Sequence, residues 1–305
     1  MSFRSIIDIT KSTPVIEGAG VNLNRAFGFG ETSQFDPFLL LDDFRNNDPK
    51  NYIKGFPWHP HRGIETITYI LKGTVEHSDS LGNNGQLKDG DIQWMTAGSG
   101  ILHQEMPKGN EKGQMHGFQL WANLPSNLKM TKPNYQDIKN SEIEKLFDDD
   151  GSVIKIMAGE YKGYRGPVIG ITTKPQYLDI YIPPNQVKTL SVSTYSNCFA
   201  YIFEGSGKFD YASSPKGIKV EKSFNNEDYQ IEDLSGERTL ITFDNGDEVK
   251  VLSGNEGVRF LLISGAPIQE PIAWHGPIVM NTNDEIKLAM QELNNGTFIK
   301  NKGGI

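Results

Sequence analysis

The chain has 305 residues, of which 37% are hydrophobic and 22% charged, and its formal net charge at pH 7 is −8. This length favours two domains of roughly 150 residues each, and the composition argues against a disordered chain. The acidic balance argues against direct binding to nucleic acid, because nucleic-acid-binding proteins usually carry a basic surface patch. Any connection to DNA would therefore run through a protein partner.

Cysteine usage and hydropathy indicate a protein of a reducing compartment. Cys198 is the single cysteine, so no intramolecular disulfide can form. The first twelve residues contain no apolar stretch of the length that a secretory signal needs. No run approaches the roughly 18 apolar residues of a membrane span. We therefore predict a cytoplasmic protein without membrane contact.

Short segments in which apolar and polar residues alternate, or which are rich in β-branched and aromatic residues, predict strands throughout the first half of the chain. They cover residues 64–71, 74–79, 91–95 and 116–122. Turn signals at Gly73, Asn83–Gly85 and Asp89–Gly90 separate them. This spacing is typical of a β-barrel or a β-sandwich.

Two pairs of metal-ligating residue types flank these strands: His59 with His61, and His103 with Glu105. Residues two apart in an extended strand point to the same side. Two neighbouring strands could therefore bring all four side chains to a single ion. Three imidazoles and one carboxylate suit Fe, Ni, Co, Cu, Mn or Zn, and they suit Mg or Ca poorly. The alternative is that each histidine is an ordinary surface or hydrogen-bonded residue.

A polar stretch from residue 126 to residue 150 then leads into a second strand-rich half. Its predicted strands are residues 153–158, 178–182, 187–194, 198–204, 238–243, 248–252 and 258–264. The segment FAYIFEG of this half echoes TYILKG of the first half. Counting back fourteen residues from the final glycine of each pairs Ser191 and Ser193 with His59 and His61. In that register the second half repeats the fold without the ligands.

Residues 283–295 predict a C-terminal helix. Asn283 can serve as its N-cap, and Ile286, Ala289, Met290 and Leu293 form an apolar stripe. The stripe suits core packing, a dimer contact or an interdomain contact. The predicted boundaries are a metal-binding barrel at residues 1–130, a linker at 131–152, a barrel without metal ligands at 153–282, and a helix and tail at 283–305.

The stretch from Gly55 to Pro107 closely resembles the signature region of the pirins, a family of the cupin superfamily. Asp36–Leu40 before it, and Glu270–Pro271 and Gly276–Asn281 near the C-terminus, resemble the flanking motifs of that family. The resemblance implies an all-β bicupin of two jelly-roll barrels with short helices and a C-terminal helix, and one non-haem metal in the N-terminal barrel.

Carried over position by position, the pirin ligands fall on His59, His61, His103 and Glu105. The implied metal is Fe(II), with Ni, Co, Mn, Cu or Zn as alternatives. The broader cupin pattern has its carboxylate ligand where this chain has Glu65. Glu65 shares the side of the two first histidines only if Arg62 and Gly63 stay extended. Glu105 is therefore favoured as the ligand, with Glu65 in an outer position that orients a ligand through a hydrogen bond.

Bacterial pirin-like proteins resemble quercetin 2,3-dioxygenases. The resemblance implies a small aromatic substrate and dioxygen, with Glu105 or Glu65 as the base that deprotonates a flavonol and with carbon monoxide released on ring opening. The alternative function is an iron-binding, redox-sensing regulator that acts through protein partners. A monomer is the expected state, and His77 and His116 could each face the pocket or the solvent.

Overall fold

A computed structural model describes residues 2–209 and 235–300. These residues form two compact units. The first, which we call the N-terminal barrel, comprises the described residues of Thr13–Ile143, Gly170–Thr173 and Pro267–Ile305. The second, the C-terminal barrel, comprises those of Met1–Ser12, Glu144–Ile169 and Lys174–Ala266. Residues 301–305 of the predicted tail lie outside the described residues.

The described residues are mostly β-strand. The first part of the chain contains β1 (Ile6–Lys11), β2 (Thr13–Glu17), β3 (Val21–Phe27), β4 (Phe38–Asp43), β5 (Phe56–His61), β6 (Ile64–Lys72), β7 (Val75–Asp79), β8 (Asn84–Leu87), β9 (Ile92–Thr96), β10 (Ile101–Pro107), β11 (His116–Asn123) and β12 (Asn134–Ile138). The rest contains β13 (Glu144–Phe147), β14 (Val153–Ala158), β15 (Glu160–Tyr161), β16 (Tyr164–Arg165), β17 (Gln176–Ile182), β18 (Val187–Ser191), β19 (Asn197–Lys208), β20 (Thr239–Phe243), β21 (Glu248–Gly265), β22 (Ala273–His275) and β23 (Ile278–Met280).

Helices are short. They are α1 (Thr32–Phe35), the 3-10 turns Pro49–Asn51, Ser126–Leu128 and Asn140–Glu142, and α2 (Asn283–Asn294). Within the described ranges, no helix is long and apolar enough to cross a membrane. The predicted all-β class with a C-terminal helix is confirmed.

The N-terminal barrel contains two antiparallel sheets of four or more strands, and β22 pairs with β23 in the same unit. One has the strand order β12-β9-β6-β11-β4-β3-β2, and the other has the order β5-β10-β7-β8. In β7 and β10 every second residue is buried, which is the pattern of a strand with one face on the core. This alternation decides which side chains of β7 and β10 enter the barrel.

The C-terminal barrel is a sheet with the order β1-β20-β19-β21-β17-β14-β13, and β18 pairs with β21. Two of its strands differ from the prediction. The predicted segments 248–252 and 258–264 belong to the single strand β21, and the strand predicted at 187–194 ends at Ser191. Two register shifts interrupt the pairing of β19 with β21, and the second falls between residues 253 and 258 of β21, where the sequence suggested a break.

The predicted linker region contains strands of both units. β12 pairs with β9 in the N-terminal barrel, and β13 pairs with β14 in the C-terminal barrel. The passage from one unit to the other lies between them, beside the 3-10 turn Asn140–Glu142.

The N-cap of helix α2 is one residue earlier than the sequence suggested. Thr282, not Asn283, is the N-cap: its Oγ1 accepts a hydrogen bond from Glu285 N at 3.3 Å, and Glu285 Oε2 accepts one from Thr282 N at 2.8 Å. This reciprocal pair is a capping box. The apolar stripe of the helix packs against Met280 and Phe298 in the same unit, so it serves core packing.

Replacing Thr282 by alanine is expected to lower the free energy of unfolding of the N-terminal barrel by about 1 kcal/mol, because one helical N–H loses its acceptor. Urea unfolding followed by circular dichroism measures this loss. Thr297→Ala, at an exposed position after the helix, is the matched control and should change stability little. Equal losses in the two variants would contradict the cap assignment.

Candidate metal centre

Strands β5 and β10 bring the predicted histidines together. They are antiparallel neighbours in which His103 lies opposite His59 and Ile101 lies opposite His61. Opposed residues of an antiparallel pair share one face of the sheet. A register shift follows His103, so that Glu105 pairs with Phe56.

The three imidazoles converge through their Nε2 atoms. The Nε2 atom of His59 lies 3.1 Å from that of His61 and 2.9 Å from that of His103. One ligand atom from each of the three residues lies within 4.8 Å of the others. Such a cluster has the dimensions of a metal site.

Hydrogen bonds on the opposite ring atoms fix the tautomers of two of these rings. His59 Nδ1 lies 2.8 Å from the Pro57 carbonyl, and His61 Nδ1 lies 3.2 Å from the Pro277 carbonyl. A carbonyl only accepts, so each Nδ1 carries the proton and each Nε2 presents a lone pair. Two lone pairs that face each other at 3.1 Å repel unless a cation lies between them. The residues therefore fit a transition metal, for which neutral imidazole is a preferred ligand.

The surroundings keep the triad neutral. Burial, and then the neighbouring imidazoles, lower the pKa of His61 and of His103 well below its ordinary value. Burial also lowers the pKa of His59. All three rings are therefore in their metal-binding form at pH 7.

Glu105 enters the same barrel but stands outside the cluster of three. Its side chain is buried, and its Oε1 lies 3.1 Å from the hydroxyl of Thr68. Burial raises the pKa of Glu105 to about 7, and the Thr68 hydrogen bond acts in the opposite direction. A carboxyl in this state is costly to ionise without a cation nearby.

Glu65 is not brought to the triad. Gly63, just before β6, has φ +76°, so the backbone between His61 and Glu65 is not extended. Within β6, side chains alternate, and Thr68 faces Glu105; Glu65 therefore faces the other side of the sheet. There its Oε1 accepts a hydrogen bond from Thr96 at 2.8 Å.

The other histidines divide into one inside the barrel and two elsewhere. His77 lies directly opposite Glu105 in the β7–β10 register and is buried, so it shares the inner face. His116 contacts Arg45 at 3.2 Å and Asp43 at 3.4 Å. His275 is exposed.

Sequence comparison places the whole chain in a family. The profile of the pirin family matches residues 20–122, and that of the pirin C-terminal cupin domain matches residues 177–299. A pirin-like protein of Caulobacter vibrioides is 38% identical over 299 residues, which cover 98% of this chain and 100% of that protein. The chain belongs to the pirin family. Human Pirin is 38% identical over 280 residues, 92% of this chain and 88% of its own length.

Solved structures confirm the bicupin fold of this pirin. A quercetin 2,3-dioxygenase from Acinetobacter baumannii has a TM-score of 0.83 and 31% identity, with 97% of this chain and 99% of that chain covered. The bacterial pirin YhhW of Escherichia coli, crystallised in complex with nickel(II), has a TM-score of 0.60 over 85% of this chain and 98% of its own. At 17% identity the second likeness shows the fold alone.

The pirin site contains residues that sequence reasoning missed. The ring of Trp121 stands 5.1 Å from that of His61 at 88°, and the ring of Trp274 lies 6.0 Å from that of Trp121. Trp121 lies on the same side of β11 as Gln119, which contacts Thr68, but the alternation of β11 alone does not tell which of its two sides faces the site. The Pro277 carbonyl is 216 residues from His61 in sequence, so no local pattern could have indicated that contact.

Arg62 holds the end of the ligand strand in place. Its guanidinium is buried and forms an ion pair with Glu292 at 2.7 Å, and it donates hydrogen bonds to the carbonyls of Ser99 at 2.8 Å and Phe298 at 2.9 Å. These partners satisfy the charge within the protein. Arg62 is therefore a structural residue that fixes His61 through the backbone.

Proposed function

We propose that this pirin is a metal-dependent dioxygenase that opens the central ring of flavonols such as quercetin and releases carbon monoxide. The observation that carries the proposal is the convergence of the Nε2 atoms of His59, His61 and His103 inside the barrel. The proposed ligand set adds Glu105, and the proposed metal is Fe(II). The similarity to the Acinetobacter baumannii quercetin 2,3-dioxygenase supports the substrate class.

The residues of the site have distinct parts in this reaction. When bound, the metal supplies a Lewis acid and an oxygen-reactive centre. The Glu105 carboxylate takes the proton of the flavonol 3-hydroxyl. Thr68 orients the carboxyl by its contact of 3.1 Å with Oε1. Both oxygen atoms of dioxygen enter the opened product, and the carbon that bore the 3-hydroxyl leaves as carbon monoxide.

Burial of the site protects this chemistry from water. His61 and His103 are only 2% and 1% exposed, and His59 is half-buried. Low access of water beside the two buried rings strengthens the charge interactions of the deprotonated substrate. Trp121, beside His61, offers an aromatic wall to a flat ring system. The lone buried Cys198 supports the proposed reducing, cytoplasmic setting, because no disulfide stabilises the chain.

Oxygen uptake tests the proposal. Protein loaded with Fe(II) without air is expected to consume one dioxygen and release one carbon monoxide for each quercetin after air is admitted. The metal-free protein is one control, and a flavone that lacks the 3-hydroxyl is the other, because it offers no proton to Glu105. Parallel loading with Ni, Co, Mn, Cu and Zn identifies the active metal.

Absence of dioxygen consumption with every metal would rule out the enzymatic proposal. The same ligands would then serve the alternative, an iron-binding, redox-sensing regulator that acts through protein partners. Retention of a partner protein by the Fe-loaded chain and not by the metal-free chain would support that role.

A further inference from the structure

A small cavity of about 20 Å³ lies inside the N-terminal barrel and is bordered by Glu105. Its wall is mostly apolar and includes Val21, Phe56, Val75 and Met115. Glu105 is two residues from His103 on β10, and residues two apart share a face of a strand. The cavity therefore lies next to the imidazole triad without containing it.

The polar groups of the wall are already engaged with protein atoms. The Thr68 hydroxyl lies 3.1 Å from Glu105 Oε1 and 3.0 Å from Gln119 Oε1. The Tyr52 hydroxyl donates to the Gly113 carbonyl at 2.9 Å. A buried water needs about two to four polar partners. Few free polar partners remain in this cavity for a water molecule. The cavity therefore suits a small apolar molecule better.

The size of the cavity selects between the two proposed substrates. About 20 Å³ exceeds the roughly 10–15 Å³ that one water molecule needs. It is far below the roughly 300 Å³ of a pocket that holds a drug-sized ligand, so a flavonol cannot enter. Dioxygen is diatomic and apolar, and it fits both the volume and the lining.

We propose that this cavity binds dioxygen and holds it beside the triad. The proposal rests on the proposed dioxygenase function for the choice of gas. Binding itself is independent of turnover, because dioxygen is paramagnetic and speeds the relaxation of nearby protons whether or not a reaction follows. The two proposals can therefore fail separately.

Methyl proton relaxation in the metal-free protein, under dioxygen pressure and under argon, is the first test. Methyl groups of Val21, Val75 and Met115 are expected to relax several-fold faster under dioxygen than the methyl groups of Ile64. Ile64 is equally buried but belongs to another part of the core. Equal enhancement at Ile64, or magnetisation transfer from a long-lived water to the lining methyl groups, would overturn the proposal.

A cavity-filling variant is the second test. Val75→Ile adds a methylene to the wall and is expected to reduce the dioxygen effect on Met115 and to raise the KM for dioxygen several-fold, with the KM for flavonol unchanged. Val187→Ile, at a strand position that is 50% exposed, is the matched control. A wild-type dioxygen effect at Met115 in the Val75 variant, or an unchanged KM for dioxygen, would refute the assignment. If the wild type does not turn over, the proposed function fails and the relaxation data alone decide whether dioxygen binds.

Discussion

His61→Ala is expected to lower the affinity for a divalent transition metal by more than about 100-fold and to abolish dioxygen uptake with quercetin. The substitution removes one of three converging Nε2 atoms, and even the loss of an outer partner of a ligand costs about 10–100-fold. The fold should survive, because the barrel buries its own apolar clusters around Ile70 and Ile64 without help from an ion. Mass spectrometry measures the loss of metal, and far-UV circular dichroism measures whether the fold survives.

His275→Ala is the matched control for that variant. His275 lies in the same unit but is exposed, so its loss should leave both the metal content and the spectrum unchanged. Full metal content in the His61 variant would contradict the assignment of the triad as the metal site. The dioxygenase and the regulator would then lose their common basis together.

The sequence predicted two strands of the N-terminal barrel well because alternation is a local property, but β10, which carries His103 and Glu105, was not among the predicted strands. The segment at 64–71 corresponds to β6 and the segment at 116–122 to β11, each with bounds within one residue. Strand β5 has a weaker signal, since Pro57 and Pro60 cannot donate to a ladder. It is tolerated because β5 is the edge strand of its sheet, which no pattern in the sequence reveals.

The parts that the sequence could not provide depend on contacts between distant residues. The turn at Gly63, with φ +76°, reverses the side to which Glu65 points. A Cβ atom added at Gly63 would collide with the Val279 carbonyl, so only glycine fits this turn. The Pro277 carbonyl that fixes the His61 tautomer comes from the C-terminal segment. Such contacts follow from the closed barrel and have no periodicity of their own.

Glu105→Gln is expected to stabilise the metal-free protein at pH 8 and to leave its stability nearly unchanged at about pH 4, below the ordinary pKa of the carboxyl. Burial raises the pKa of Glu105 from 4.5 to about 7, and each pKa unit corresponds to about 1.4 kcal/mol. Protonation of this carboxyl favours the folded state fully below pH 4.5, and that stability is lost as the pH rises through 7. The neutral amide avoids the cost, so the gain at pH 8 is about 3 kcal/mol at most.

Metal reverses the sign of that difference. A cation held by the triad offsets the buried charge of Glu105, so the loaded wild type should be the more stable protein and Glu105→Gln should bind metal about 10–100-fold more weakly.

Glu65→Gln is the matched control. Burial also raises the pKa of Glu65, so this variant gains stability at high pH as well, but its metal affinity should equal that of the wild type because Glu65 faces away from the triad. Thermal unfolding with and without metal at about pH 4 and pH 8 separates the cases. A loss of affinity confined to the Glu65 variant would transfer the ligand role to that residue.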